Sequence, residues 1–434
     1  MGYPCQVACI ASAAIITYRR CGERSTRVTS VWLGLLAGCV TFGVAVVAAL
    51  VLPRAGSPAA GMLAVISLLG ATTALGAITE TYGTSSALAL ALAVLVAGVT
   101  AGYAVGATFL PHLSRRPRPR SLAVRPPGDG TAIILLACTE PERYSVAAVA
   151  YRQDLLARGA EIEVPSTALP FVFFADRSRY RAAGRMSPGP ALARKLARIV
   201  QAEAGAKTPV TLAWCHTADS LVNAVVSCGA DGASSIAVVT LGPPESGPLD
   251  EARALLDSSL RTEHAPRVVF GPNVWNDRFL PARLAERVMG ATVGATAEEV
   301  GVVLLCEGAP PAWERRYAAA GEADNYFAQR VRTILCEDGV AASHVRVAWL
   351  AWQTPDVTEV VRHLAALGCT RIVVAPATIA LPTLETMLDL GHAVTLARVP
   401  ETVTVVTLTP WGDDPGFVGA VQRSVSAALG ELRA

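Results

Sequence analysis

Thr211-Leu-Ala-Trp-Cys-His-Thr-Ala-Asp219 leads through a helical stretch to Gly232 and into Ser235-Ile-Ala-Val-Val-Thr-Leu-Gly-Pro243. The same order returns as Val347-Ala-Trp-Leu-Ala-Trp-Gln-Thr-Pro-Asp356, a helical stretch to Gly368, and Arg371-Ile-Val-Val-Ala-Pro376. The two Asp-to-Gly separations, 13 and 12 residues, differ by one. Upstream, each copy opens with a buried-strand pattern running into an acidic residue, Ile134-Leu-Leu-Ala-Cys-Thr-Glu140 and Val303-Leu-Leu-Cys-Glu307. Near-continuous apolar runs mark strands covered on both faces, and therefore a parallel sheet with crossover helices. The strand candidates are 133–138, 210–214, 236–241, 268–271, 302–306, 345–350, 372–375 and 403–409, with helical periodicity over 191–201, 325–336 and 357–367. The expectation is two similar α/β halves, 130–290 and 295–434, with a ligand site outside the carboxyl ends of the strands.

The first quarter differs in character. Val31–Leu52, Ala59–Thr79 and Ala87–Leu110 are apolar and uncharged, each near the roughly 20 residues that cross a bilayer as a helix. They predict an all-α bundle of three spans at 31–110, after an N-terminal segment at 1–30. Glycines four apart, at Gly34 and Gly38 and at Gly98, Gly102 and Gly106, suit close helix packing. Residues 111–129 hold too many prolines for helix or sheet and read as a basic linker. Six arginines flank the bundle on the C-terminal side against four on the other, so the positive-inside rule expects a multi-pass membrane protein with a cytoplasmic C-terminal portion.

Composition narrows the partners. Hydrophobic residues make up 52% of the 434 and charged residues 17%, and the formal net charge is +2, so no global field recruits nucleic acid. Of the 37 basic residues only Lys195 and Lys207 are lysines. The ten cysteines are scattered without a C-x2-C pair, which excludes the usual zinc and iron–sulfur spacings and predicts reduced, buried thiols.

Polar groups end the apolar runs where a site belongs. His216 follows Leu212-Ala-Trp-Cys and reads either as a ligand or as a hydrogen-bonded strand-end residue. Glu307 directly follows a fully apolar strand, where a carboxylate is costly unless it has a partner or water. Glu385, nine residues after Pro376, reads as a site carboxylate or as an acid at a helix start.

Across 130–430 these residues resemble the ferrochelatases, enzymes of the class II chelatase fold that insert Fe2+ into a porphyrin. Tyr180 through Ser187-Pro188 is similar to the family's Tyr…Gly-Gly-x-Ser-Pro turn, and 212–225 to its strand, histidine and helix. Glu307-Gly308-Ala-Pro310 with Asp324-Asn-Tyr326-Phe-Ala-Gln329 resembles His-Gly-x-Pro…Asp-Pro-Tyr-x-x-Gln, and 373–386 resembles Val-Pro…Glu-Thr-Leu. The resemblance implies a membrane-anchored chelatase with Glu307, Glu385 and His216 catalytic, and Glu307 and Glu385 at the metal. It puts Tyr180, Ser187 and Tyr326 at the bound tetrapyrrole, with Fe2+ as a substrate and no permanently bound cofactor. Departures are also plain: Glu307 stands where the family has histidine, Thr383 stands where histidine is frequent, and Gly242–Pro248 lacks a tyrosine. The alternative is a degenerate chelatase fold that binds a tetrapyrrole, a metal or a regulatory partner without turnover.

Overall fold

The computed structural model describes residues 24–51, 84–110, 129–217, 220–243, 246–260 and 265–434. Two compact units emerge: Met1–Ser114 with Val164–Arg177, and Arg115–Glu163 with Ser178–Ala434. In chain order the elements are α1 (Arg24–Val51), α2 (Thr84–Phe109), β1 (Gly130–Ala137), α3 (Val146–Gly159), α4 (Leu169–Ala182), α5 (Gly189–Ala204), β2 (Val210–Trp214), α6 (Ser220–Ala230), β3 (Ala233–Leu241), α7 (Gly247–Ser259), β4 (Arg267–Phe270) and α8 (Leu280–Gly290). They continue as β5 (Val300–Cys306), α9 (Pro311–Arg316), α10 (Ala318–Glu337), β6 (Val345–Trp349), α11 (Val357–Ala366), β7 (Arg371–Pro376), a π-turn at Glu385–Asp389, α12 (Leu390–Leu396), β8 (Thr404–Thr407) and α13 (Pro415–Arg433).

In the first unit α1 and α2 pack through glycine. A Cβ on Gly102 would lie 1.9 Å from the Val40 carbonyl, and one on Gly43 2.3 Å from that of Val99, so larger residues are excluded from this crossing. The Arg177 guanidinium donates to the Ala49 carbonyl at 2.7 Å, and the Tyr103 hydroxyl to that of Thr167 at 2.7 Å. The expected three-span membrane bundle is not shown. Ala59–Thr79 lies outside the described residues, as do most of 1–30 and of the 111–129 linker, and no membrane-crossing helix is identified among the described residues. A glycine-mediated crossing forms in water or in lipid alike, so this pair does not report its solvent.

The second unit holds two four-stranded, wholly parallel sheets, ordered β2-β1-β3-β4 and β6-β5-β7-β8. All eight strand expectations fall on these strands, and the matching order of the two sheets is the repeat made visible. Along β1, Ile133, Leu135 and Ala137 face one core while Ala132, Ile134 and Leu136 face another. Along β5, Val302, Leu304 and Cys306 alternate likewise with Val303 and Leu305. Neither face meets water, which is why both runs lack polar residues.

The inner faces of the two sheets share a single core, filled by α5, α8, α10 and α13. At its centre stand Trp275 and Phe327, with ring centroids 5.9 Å apart, together with Trp411 and Phe417. Both indoles are satisfied: Trp275 donates to the Gly242 carbonyl at 3.0 Å and Trp411 to that of Ala377 at 2.8 Å. Helix α13 follows the last strand of the second sheet yet packs on β3 and β4 of the first. There Ser424 donates to the Pro272 carbonyl at 2.6 Å, and Arg267 donates to the carbonyl of Glu431 at 3.1 Å.

One expectation about cysteine is corrected. Ala137 and Trp214 are register partners on β1 and β2, so the next residues, Cys138 and Cys215, lie side by side with Cα atoms 4.9 Å apart and form a disulfide. Parallel strands in register bring equivalent ends together, which the scattered spacing of the cysteines in the chain conceals. Cys39, Cys228, Cys306, Cys336 and Cys369 are free.

The shared core predicts that both halves unfold together. Trp275→Ala should cost about 3–5 kcal/mol and lower the urea midpoint, with tryptophan fluorescence and far-ultraviolet dichroism still coincident. Two separated transitions would mean that the sheets are independent.

Candidate active site

β5 delivers Glu307 at its carboxyl end, and the turn after it is tightly constrained. Gly308 has φ +85°, and a Cβ there would lie 2.1 Å from the Ala351 carbonyl. The loop after β6 is bonded to the same turn, Leu350 N–H donating to the Cys306 carbonyl at 2.9 Å and Ala351 N–H to that of Glu307 at 3.1 Å. Water reaches the Glu307 side chain, although protein atoms crowd around it. Burial, followed by the charges of Glu385, Asp324 and Glu140, pushes its carboxyl up to about 8. Asp324 lies behind it on α10, 9% exposed and bonded to Thr378, and burial lifts it to about 6.

Glu385 opens the π-turn. Burial raises its carboxyl, the charges of Arg179 and Arg152 pull it back, and those of Glu140 and Asp389 push it up again. Arg179 sits 3.9 Å from Glu385 and makes its closer bond to Asp389, so the guanidinium is shared along the turn.

The first half contributes the opposite wall. Beyond β1 the chain turns through Thr139 and Glu140. Oε1 of Glu140 accepts from the Ser187 hydroxyl at 2.6 Å and from Leu384 N–H at 2.7 Å. Nδ1 of His216 is 2.8 Å from the Thr139 carbonyl. A carbonyl only accepts, so Nδ1 carries the hydrogen and Nε2 keeps its lone pair. Burial lowers the pKa of His216, partly countered by that hydrogen bond, which keeps the ring neutral near pH 7.

The expected site residues therefore divide. Glu307 and Glu385 are electrostatically coupled, and His216 is tied to the turn that carries Glu140. Tyr180 and Ser187, expected at a bound molecule, have their hydroxyls bonded within the protein. Tyr180 is 5% exposed and donates to the Pro141 carbonyl at 2.6 Å, while Ser187 is 1% exposed and bonded to Glu140. Tyr326 is 61% exposed on α10, where the Arg330 guanidinium lies over its ring. The sequence does not mark Asp324 or Arg179 as site residues, and it signals Glu140 through its place at the strand end of the first repeat copy. Among the described residues no group of three or more His, Cys, Asp or Glu side chains is arranged to hold a metal ion.

The second unit thus places Glu307, its carboxyl raised, at the end of a strand of one parallel sheet, with Glu385 acting on it electrostatically. Residues 317–428, from α10 into α13, match the CbiX family. The ferrochelatase family, which the motifs resemble, is not shown by that match. No curated protein matches the chain. Among solved structures, SirB from Bacillus subtilis with Fe3+ aligns at 16% identity and a TM-score of 0.42, over 70% of this chain and 97% of that one. The sirohydrochlorin chelatase SirB from Bacillus subtilis subspecies spizizenii in complex with cobalt aligns at 14% and 0.41, over 70% and 97%. CbiX, the terminal enzyme for biosynthesis of siroheme in denitrifying bacteria, aligns at 16% and 0.41, over 68% and 99%. Likeness at this distance says nothing of substrate.

A carboxyl whose folded pKa lies above its unfolded value stabilises the fold below the unfolded value, and that contribution is lost as pH rises through the folded one. Glu307→Gln should therefore match wild type in Tm at pH 4 and exceed it increasingly as pH rises through about 8. A Tm difference that does not change with pH would show that Glu307 titrates normally.

Proposed function

We propose that this protein inserts a divalent metal ion into a tetrapyrrole, with Fe2+ and a porphyrin as the first substrates to test. The observation that carries the reading is Glu307 at the strand end, its carboxyl lifted to about 8 beside Glu385. Metallation removes two protons from pyrrole nitrogens, and a group that titrates near the working pH is suited to accept them. Glu307 is the base, and Glu385 with its Arg179 partner takes the second proton or steers the cation. His216 presents its unprotonated Nε2 from the first half, a borderline donor for the arriving ion. The CbiX match over the half that carries Glu307's neighbours supports the class.

A second reading, binding without turnover, is favoured by one observation: Glu307 stands where the resembled family has its metal-site histidine. Membrane attachment with a cytoplasmic C-terminal unit belongs to the proposal as well. It rests on the uncharged runs of the sequence, and resistance of the protein to alkaline carbonate extraction tests it.

Anaerobic insertion of Fe2+, Co2+ and Zn2+ into coproporphyrin, protoporphyrin and sirohydrochlorin separates the two readings. Wild type should turn over at least one pair, and Glu307→Gln should lose about 100-fold or more, in the range general bases contribute. Glu307→His should retain activity and shift toward softer ions. A spectral shift of the macrocycle without insertion by wild type would establish the binding protein instead.

A further inference from the structure

Glu140 takes no proton and holds no ion in the scheme above, though its charge helps to raise Glu307 and Glu385, and its carboxylate joins the two halves at the site. Its Oε1 accepts one hydrogen bond from each side: Ser187 of the first half at 2.6 Å and Leu384 N–H of the second at 2.7 Å, 244 residues away. The first-half side is rigid. Ser187 is 1% exposed, its N–H donates to the Glu142 carbonyl at 2.8 Å, and Tyr180 holds the adjoining Pro141 carbonyl at 2.6 Å. The halves also touch here without room to spare, since a Cβ on Gly189 would lie 2.4 Å from Oγ1 of Thr139 and 2.7 Å from the Pro382 carbonyl.

The second-half side is where orientation matters. Leu384 immediately precedes Glu385, and its N–H is one of the donors that a helical start leaves without an internal partner. Its neighbours are capped locally: Thr383 N–H donates to Oγ1 of Thr386 at 2.8 Å and Thr386 N–H to Oγ1 of Thr383 at 3.2 Å. Leu384 N–H is left to a carboxylate from the other half. A charge-assisted bond of this kind is short and directional, so it fixes the first turn from which Glu385 projects.

We propose that Glu140 is a positioning residue, a cap supplied by the first half that holds the Leu384–Asp389 turn, and with it Glu385, in the orientation used for metal insertion. The kinetic part rests on the chelatase reading; the structural part does not. An amide oxygen accepts the same two bonds, so Glu140→Gln keeps the cap while Glu140→Ala removes it.

Hydrogen–deuterium exchange of the peptide spanning 383–389 and metal-insertion kinetics, run on the full chain, test both parts. Glu140→Ala should speed exchange of that peptide about tenfold and lower kcat about 10- to 100-fold, the scale of a misplacement near 1 Å. Macrocycle affinity, read from the absorption shift, should stay within about threefold of wild type, because the residue acts through Glu385. Glu140→Gln should restore both the slow exchange and most of the kcat. If Glu140→Ala does not fold, Glu140→Met fills the space without an acceptor and serves in its place. Unchanged exchange in the variant lacking an acceptor overturns the proposal. So does a Gln variant as impaired in kcat as Ala, since Glu140 would then act through its charge on the metal, the protons or Glu307 and Glu385 rather than as an acceptor. If wild type shows no insertion, the chelatase reading fails, and exchange alone decides whether Glu140 holds the turn.

Discussion

Neither sheet of the second unit can be completed without the other. The inner faces of β1 and β5 look onto one helical layer, and the aromatic group of Trp275, Phe327, Trp411 and Phe417 closes it from residues of both halves. Burial on both sides removes polar residues from the strands and pushes them to the strand ends. A strand that must stay apolar through Cys306 can present a carboxylate only at the next position, and that is where Glu307 stands. The position of Glu307 is in this sense a by-product of how the cores are closed.

The electrostatics follow from the same enclosure. Glu307 and Glu385 both have raised carboxyls although water reaches their side chains, and the charge of Asp324 adds to the rise at Glu307. Arg179 and Arg152 offset part of this at Glu385, so the two carboxyls are inequivalent, one relieved by cations and the other not. Inequivalent neighbours are what proton transfer in sequence requires, because one group empties before its partner.

Much of the architecture was legible because it is written in local pattern. All eight strands could be read from apolar runs, and the sheet order repeats because the sequence does. Glu307 was visible for a physical reason, a charge at the end of a run that tolerates none. Other features depend on contacts that no local pattern encodes. Ser187 and Tyr180 sit in a motif that resembles a ligand-binding turn, yet their hydroxyls brace the Glu140 loop. The role of Glu140 depends on Leu384, half the chain away. Cys138 and Cys215 pair because β2 lies beside β1, a fact of topology that spacing does not reveal. The first quarter shows the converse: its apolar runs were conspicuous, but a helix pair packed through glycine is compatible with either solvent.

Helix α13 has a consequence in time. A ribosome releases the first half long before residues 415–433 exist, and until then the face of β3 and β4 that Val421 and Val425 will cover has no lid. Contacts between chain segments this far apart form late and leave apolar surface open in the interval. The nascent chain thus carries a sticky, half-roofed sheet until α13 has been made.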